Sequence, residues 1–194
     1  MNTIRKVSRL ISGLGLLAIV GIGGPAKAVP IGFNIDWTGS DGYSMTGMFS
    51  YDDSLVGTGP IAATDLETFM VEGFLNGGSV GTWDFFADGI SPGASPFNFN
   101  FDTNSESFLT GGDNDTPTGQ AWNINTFQCT SDFGFFSGAD FQGLCVGFSI
   151  VGVQDNLAAL TASRKTIDVP EPASLALFAV ALGGLGFMTR RRVV

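Results

Sequence analysis

The sequence predicts an all-β body, an antiparallel β-sandwich or a jelly-roll-like fold, between an N-terminal signal peptide and a C-terminal transmembrane helix. Apolar and polar residues alternate from residue 31 onward, and clusters of Gly, Pro, Asn and Asp separate the alternating runs. The composition includes 28 Gly and 18 Phe, which favours sheet over helix. A chain of 194 residues is long enough for one domain with a core.

The first two strands form the clearest predicted unit. Ile31, Phe33, Ile35 and Trp37 lie on one face of an extended chain, which is the pattern of a half-buried strand. TGSDG then turns the chain, and alternation resumes over residues 43–51. The two runs together predict a β-hairpin.

Further alternating runs predict six or seven more strands, at intervals typical of an antiparallel sandwich or jelly roll. Only residues 62–70 could compete as a short helix. The predicted strands are residues 66–74, 80–86, 97–101, 121–127, 132–136, 144–153 and a last one within 157–168.

Charge is segregated along the chain. Between Val29 and Val169 there are seventeen acidic and two basic residues, a formal charge of −15. Such a body cannot neutralise phosphates, so nucleic acid is excluded as a partner and an anionic bilayer is disfavoured. Cations and neutral polar polymers fit it better.

The N-terminus has the order of a secretory signal peptide. Basic residues precede the apolar run LISGLGLLAIVGIGG, and Ala26 and Ala28 form an A-x-A cleavage signal. We expect signal peptidase to cut after Ala28, so that residues 1–28 are removed by the secretion machinery. An uncleaved membrane anchor is the alternative.

The C-terminus predicts a membrane span. Residues 173–188 carry no charge and would extend roughly 24 Å as a helix at about 1.5 Å per residue; we place the transmembrane helix at 173–189. Arg190, Arg191 and Arg192 would stay cytoplasmic, with the acidic body across the inner membrane. Pro170 and Pro172 keep the segment before the helix extended.

These C-terminal features resemble the PEP-CTERM sorting signal of exported bacterial proteins. The resemblance rests on Pro170, Glu171 and Pro172, followed by the Leu/Ala/Gly-rich helix and the arginine cluster, within residues 169–194. It implies processing by an exosortase, an integral-membrane protease or transpeptidase that recognises the Pro-Glu-Pro region. It further implies an association with exopolysaccharide and biofilm. An ordinary C-terminal tail anchor is the alternative, although it would not need the Pro-Glu-Pro triplet.

Histidine is absent and only two cysteines occur, sixteen positions apart. The absence of histidine removes the Ser-His-Asp and Cys-His nucleophile arrangements and the commonest zinc ligand. Because the chain is predicted to leave the reducing cytoplasm, we expect Cys129 and Cys145 to form a disulfide. A reactive cysteine pair is less consistent with the sequence, since no cation lies nearby to lower a thiol pKa.

The loop GGDNDTPTG is a weak calcium candidate, through Asp113 and Asp115. Its spacing does not match an EF-hand, so a solvated turn is the preferred interpretation, and we expect no cofactor unless calcium binds here. The turn Asp52-Asp53-Ser54 is interpreted as a strand end.

Three functions remain open for the body, which spans residues 29–168. The first is a structural protein of the envelope or extracellular matrix, exported, briefly anchored in the inner membrane and then placed at the cell surface or outside the cell. The second is a carbohydrate-binding module that stacks sugars on its tryptophans, which alternatively belong to the core. The third, a glycoside hydrolase, would require acids such as Asp84, Asp88 and Glu106 to converge. We expect no enzymatic activity.

Overall fold

The computed structural model describes residues 30–125 and 128–165. The predicted signal peptide, the predicted helix 173–189 and the motifs around them lie outside the described residues. The described residues form twelve strands: β1 (Ile31–Thr38), β2 (Tyr43–Tyr51), β3 (Pro60–Ala62), β4 (Leu66–Leu75), β5 (Gly78–Asp84), β6 (Asn100–Asp102), β7 (Ser107–Phe108), β8 (Gln120–Trp122), β9 (Phe133–Ser137), β10 (Gln142–Val146), β11 (Ser149–Gln154) and β12 (Thr161–Arg164).

The strands form three sheets in which every pair is antiparallel. Their orders are β12-β1-β2-β4-β5, β11-β10-β9-β8 and β3-β6-β7. The described helices are short: α1 (Phe85–Asp88) and 3-10 turns at Asp53–Leu55, Ala63–Asp65 and Leu157–Ala159. The prediction of an all-β body is therefore confirmed.

The predicted β1–β2 hairpin is present, with Ile31 opposite Tyr51 and Thr38 opposite Ser44. At its turn both Asp41 (φ 54°) and Gly42 (φ 82°) are left-handed. Tight hairpins require this conformation because it matches the twist of the two strands, and Asp-Gly adopts it readily. The residues of TGSDG thus set the register of the first two strands.

Several details of the predicted strands are wrong. Residues 144–153 are not one strand but parts of β10 and β11, joined by a turn at Gly147 and Phe148 with φ 53° and 63°. Residues 85–86 belong to α1, not to a strand, because the Asp84 carboxylate caps the N–H groups of Phe86 and Ala87. The short strands β3 and β7 were not predicted. The helix considered for residues 62–70 is instead a 3-10 turn followed by β4.

Aromatic side chains from all three sheets meet in one core. Trp37 of β1 contacts Phe135 of β9 with ring centroids 5.5 Å apart, and Phe33 contacts Phe101 of β6 at 5.1 Å. Phe69 of β4 lies 5.0 Å from Trp122 of β8. Edge-to-face contacts of this kind add to the free energy of burying the rings. The phenylalanine content of the sequence is thus used mainly to join the sheets.

One cross-sheet contact depends on two glycines. Gly73 of β4 and Gly81 of β5 are paired neighbours, and the ring of Phe133 from β9 lies directly on them. A Cβ atom at Gly73 would be 2.3 Å from Phe133 Cε2, and one at Gly81 would be 2.7 Å from three atoms of the same side chain. The glycines therefore provide a flat surface on which the four-stranded sheet approaches the five-stranded one.

Candidate functional site

A cavity of about 220 Å³ opens on the face of the four-stranded sheet that is turned away from the main core. Phe135 of β9 points into the main core, so the next residue, Phe136, points to this opposite face. Ile124, Phe141 and Ile150 complete the apolar wall, with the Phe136 and Phe141 ring centroids 5.4 Å apart.

Two acidic side chains reach the cavity from separate parts of the sequence. Asp113 belongs to the loop before β8, and Asp140 belongs to the turn between β9 and β10. Both residues are exposed, so the carboxylates lie at the rim. Neither has a basic neighbour, because the one ion pair of the described residues joins Arg164 to Glu106.

Cys129 lines this cavity, and Cys145 is its disulfide partner. Cys129 and Cys145 lie at disulfide distance, with sulfur atoms 2.08 Å and Cα atoms 5.3 Å apart, as the sequence predicted. Cys145 is buried in β10, whereas Cys129 belongs to the connection between β8 and β9 and packs against the cluster of Ala121, Ile124, Phe136 and Cys145. The bond therefore ties that segment to the sheet and helps to define the cavity.

Side-chain hydrogen bonds hold the same segment at its ends. Asn123 Nδ2 donates to the Phe133 carbonyl at 2.8 Å, and Asn123 Oδ1 accepts from Ser91 N at 2.8 Å. The Ser131 hydroxyl donates to the Phe133 and Asn123 carbonyls. Because these groups are buried, losing a partner would leave polar atoms unsatisfied.

The loop of the calcium candidates is held by amide side chains from the neighbouring strand region. Asn98 Nδ2 donates to the carbonyl oxygens of Asn114 (2.7 Å) and Thr116 (2.9 Å). Asn100 Nδ2 donates to the Gly119 carbonyl at 2.7 Å. The inward carbonyl oxygens of the loop therefore accept hydrogen bonds from amides.

Asp113 and Asp115 lie on the exposed side of this loop. Residues 30–125 and 128–165 contain no group of three or more Asp, Glu, Cys or His side chains that could hold a metal ion. The structure thus places Asp113 and Asp140 in the lining of the same cavity, and among the described residues it does not group them with further acids as a metal site would require.

The acids considered for glycoside cleavage have local structural partners. Asp84 Oδ1 accepts hydrogen bonds from Phe86 N (2.9 Å) and Ala87 N (3.0 Å), and Asp88 Oδ2 accepts one from Asp84 N (2.9 Å). Glu106 is instead paired with Arg164. Asp84 and Asp88 are therefore neighbours whose carboxylates stabilise the N-terminal end of α1.

All three tryptophans are core residues. Trp37 and Trp83 are 2% exposed and Trp122 is 0% exposed, so none offers a face to a sugar ring. Trp37 Nε1 donates to Gln142 Oε1 at 2.9 Å, and Trp83 Nε1 donates to the Gly89 carbonyl at 2.7 Å. The interpretation of the tryptophans as packing residues is thus the one that the structure supports.

Two acidic groups near the end of β2 have shifted pKa values. Burial raises the pKa of Tyr51, with a smaller opposing effect of Arg164. Hydrogen bonds from Ser54 lower the pKa of Asp52. Asp52 Oδ1 accepts from Ser54 N at 2.9 Å, as expected of a capped turn at a strand end.

The residues of the predicted sorting apparatus lie outside the described parts of the chain. These are Ala26, Ala28, Pro170, Glu171, Pro172, Arg190, Arg191 and Arg192. Within the described ranges, no helix has the length and hydropathy needed to cross a membrane.

Comparison with protein families gives a match at the C-terminal end. A family model described as the PEP-CTERM protein-sorting motif matches residues 168–192. The chain carries a PEP-CTERM sorting motif. The motif implies an exported, membrane-transiting protein that is processed by an exosortase, a membrane enzyme. No curated protein and no solved structure shows significant similarity to the chain.

Sequence reasoning missed the cavity of this PEP-CTERM protein. Asp140, Phe141 and Ile150 were not singled out, and Asp113 was considered only for calcium. Their separation in sequence hides the site, but one signal was present: Phe141 directly follows an acid in the short connection between two strands.

Proposed function

We propose that the chain is an exported structural protein of the bacterial envelope or extracellular matrix. The observation that carries this proposal is the match of residues 168–192 to the PEP-CTERM sorting motif. In this proposal signal peptidase removes residues 1–28, the helix 173–189 anchors the protein briefly in the inner membrane, and an exosortase acts at Pro170, Glu171 and Pro172. The mature protein then resides at the cell surface or outside the cell, with exopolysaccharide as the neighbouring polymer.

The described body supports a structural role over a catalytic one. Its largest side chains interlock in one core, and a cysteine pair at disulfide distance ties the segment after β8 to β10. The acids that could serve glycoside cleavage instead accept backbone hydrogen bonds or pair with Arg164. We also propose a β-sandwich for the body, because the inward faces of the five- and four-stranded sheets meet across shared aromatic contacts.

Fractionation of cells that produce an internally tagged protein tests the proposed location. We expect the mature form in the envelope or the medium. Intact mass should show a chain that begins at Val29 and lacks the C-terminal helix. Recovery of the full-length chain from the cytoplasm, with both termini intact, would refute the proposal.

The variant Glu171→Ala tests the proposed role of the sorting motif. The alanine removes the carboxylate between the two prolines, so we expect the hydrophobic tail to remain attached and the protein to accumulate in the inner membrane. Asp155→Ala, which removes an exposed acid of the body, is the matched control and should be processed normally. Normal C-terminal processing of Glu171→Ala would contradict the assignment.

We propose that the body needs no bound ion. The Asn114, Thr116 and Gly119 carbonyls already accept hydrogen bonds from Asn98 and Asn100. Thermal unfolding should therefore have the same midpoint in calcium and in chelator. A higher midpoint in calcium, abolished by Asp113→Asn, would assign an ion to this loop instead.

A further inference from the structure

We propose that the cavity on the outer face of the four-stranded sheet binds a small amphipathic cation, a molecule that joins one apolar or aromatic group to an ammonium or guanidinium group. This site goes beyond the structural role proposed above and does not depend on it.

The interior of the cavity fits an apolar group. Phe136, Ile124 and Cys129 form its base, and Phe141 and Ile150 lie at its mouth with 37% and 45% of their surfaces exposed. Water against such walls finds few hydrogen-bond partners, so its displacement by an apolar group is favourable. A volume of about 220 Å³ is enough for one ring with a short side arm, and too small for a folded peptide.

The rim of the cavity selects for positive charge. Asp113 and Asp140 line it, and no lysine or arginine does. The described residues contain two cations, Arg164 and Lys165, and both lie at the end of β12 in the other large sheet. The described residues therefore supply no counter-charge to the rim carboxylates.

The rest of the body strengthens this selection. Residues 30–165 carry sixteen acidic and two basic side chains, a formal charge of −14. Such a field attracts cations to a concave site with apolar walls and excludes anionic ligands. The ring of Phe141, next in sequence to Asp140, adds a surface on which a cation can rest. Apolar contact and charge thus act on the two ends of one ligand.

The experiment compares three probes that share a phenyl ring and a two-carbon arm. Phenethylamine is cationic, 2-phenylethanol is neutral and 3-phenylpropionate is anionic. Each is titrated into the mature protein recovered from the producing cells, with binding followed by calorimetry and by ligand-observed NMR. We expect phenethylamine to bind about tenfold or more tightly than phenylethanol, since a charge pair at a partly exposed site contributes on the order of a tenfold factor. Phenylpropionate should not bind.

Variants assign the binding to this cavity. Asp113→Asn and Asp140→Asn should each weaken phenethylamine binding by about three- to tenfold, in line with a partly screened charge pair. Phe141→Ala should weaken both phenethylamine and phenylethanol. Asp155→Asn, which removes an exposed acid that does not line the cavity, should have no effect. Thermal unfolding of each variant shows that it is folded.

Four results would overturn the proposal. The first is absence of phenethylamine binding to the folded protein, and the second is phenylethanol binding as tightly as the amine. The third is binding that is unchanged in Asp113→Asn, Asp140→Asn and Phe141→Ala. A cavity that takes neutral glucose but not the amine would also overturn it, in favour of a sugar site.

Discussion

Replacing Gly81 by alanine should destabilise the protein through Phe133, the side chain that lies on Gly73 and Gly81. The added Cβ would be 2.7 Å from three atoms of Phe133, whereas ordinary contact begins near 3.4 Å, so the ring must move by about 0.7 Å. Phe133 is 4% exposed and also rests on Gly73, which leaves it little room to retreat.

The net magnitude follows from two opposing effects. Overpacking of a buried site costs about 1–3 kcal/mol. The alanine also reduces the conformational entropy of the unfolded chain, which stabilises the folded state by about 0.4–1 kcal/mol. We therefore expect Gly81→Ala to lower the free energy of unfolding by about 1–2 kcal/mol.

Gly78 offers a control in the same strand. A Cβ there would meet only the Leu75 carbonyl oxygen at 3.5 Å, an ordinary contact. Gly78→Ala should therefore be neutral or slightly stabilising. Urea unfolding of both variants measures the difference, and equal stability of Gly81→Ala and Gly78→Ala would refute the argument.

A double-mutant cycle tests whether Phe133 transmits the effect. The smaller side chain of Phe133→Leu makes room for the new methyl group, so Gly81→Ala should cost at least about 0.5 kcal/mol less in that background than alone. Strictly additive effects would show that the strain arises elsewhere.

Two further variants test the core and the cysteine pair. The Tyr51 hydroxyl is buried without a hydrogen-bond partner among the described residues, and burial raises its pKa. As pH rises, Tyr51 therefore ionises in the unfolded chain before it ionises in the folded one. The stability that is present below about pH 10 is lost as pH rises through the pKa of the folded state. Tyr51→Phe should unfold at equal or higher urea concentration at pH 7, by up to about 1 kcal/mol, and should lose less stability in alkali; a loss of stability at pH 7 would reveal a missing partner. Replacing Cys129 and Cys145 together by alanine should cost about 3 kcal/mol, since the pair closes a loop of sixteen positions. Unfolding with and without reductant checks this result, and an unchanged midpoint would argue against the bond.

The long elements of the body could be predicted because their side chains alternate without interruption. Phe33, Ile35 and Trp37 all enter the core, as period-two alternation requires, and Asp-Gly marks the turn that follows. Such signals are local in sequence, so they can be recognised without knowledge of the fold.

The errors arise where the backbone departs from ordinary rules. Phe148 adopts φ 63° in the turn between β10 and β11, although a bulky residue rarely does so, and the apolar sequence around it reads as one continuous strand. The strands β3 and β7 have only three and two residues, and long-range pairing specifies them rather than any pattern of their own.

The candidate sites also differ in whether their residues are contiguous in sequence or are brought together by the fold. The sorting motif is contiguous and could be found from Pro170, Glu171 and Pro172 alone. The cavity required the fold, because Asp113 and Ile150 are 37 positions apart and meet only when the sheet has formed. The pairing of the cysteines could be predicted because the sequence has only two of them and the chain is expected to leave the reducing cytoplasm.

The position of Arg164 and Lys165 at the end of β12 has a consequence for resistance to proteolysis. A trypsin-like protease cuts after lysine and arginine, and between Val29 and Val169 it meets these two adjacent residues alone. Both are exposed; Arg164 is the last residue of β12 and pairs with Phe33 of β1, and Lys165 follows it. Cleavage after these residues would separate the C-terminal sorting segment from the β-sheet body and leave the backbone of the body uncut.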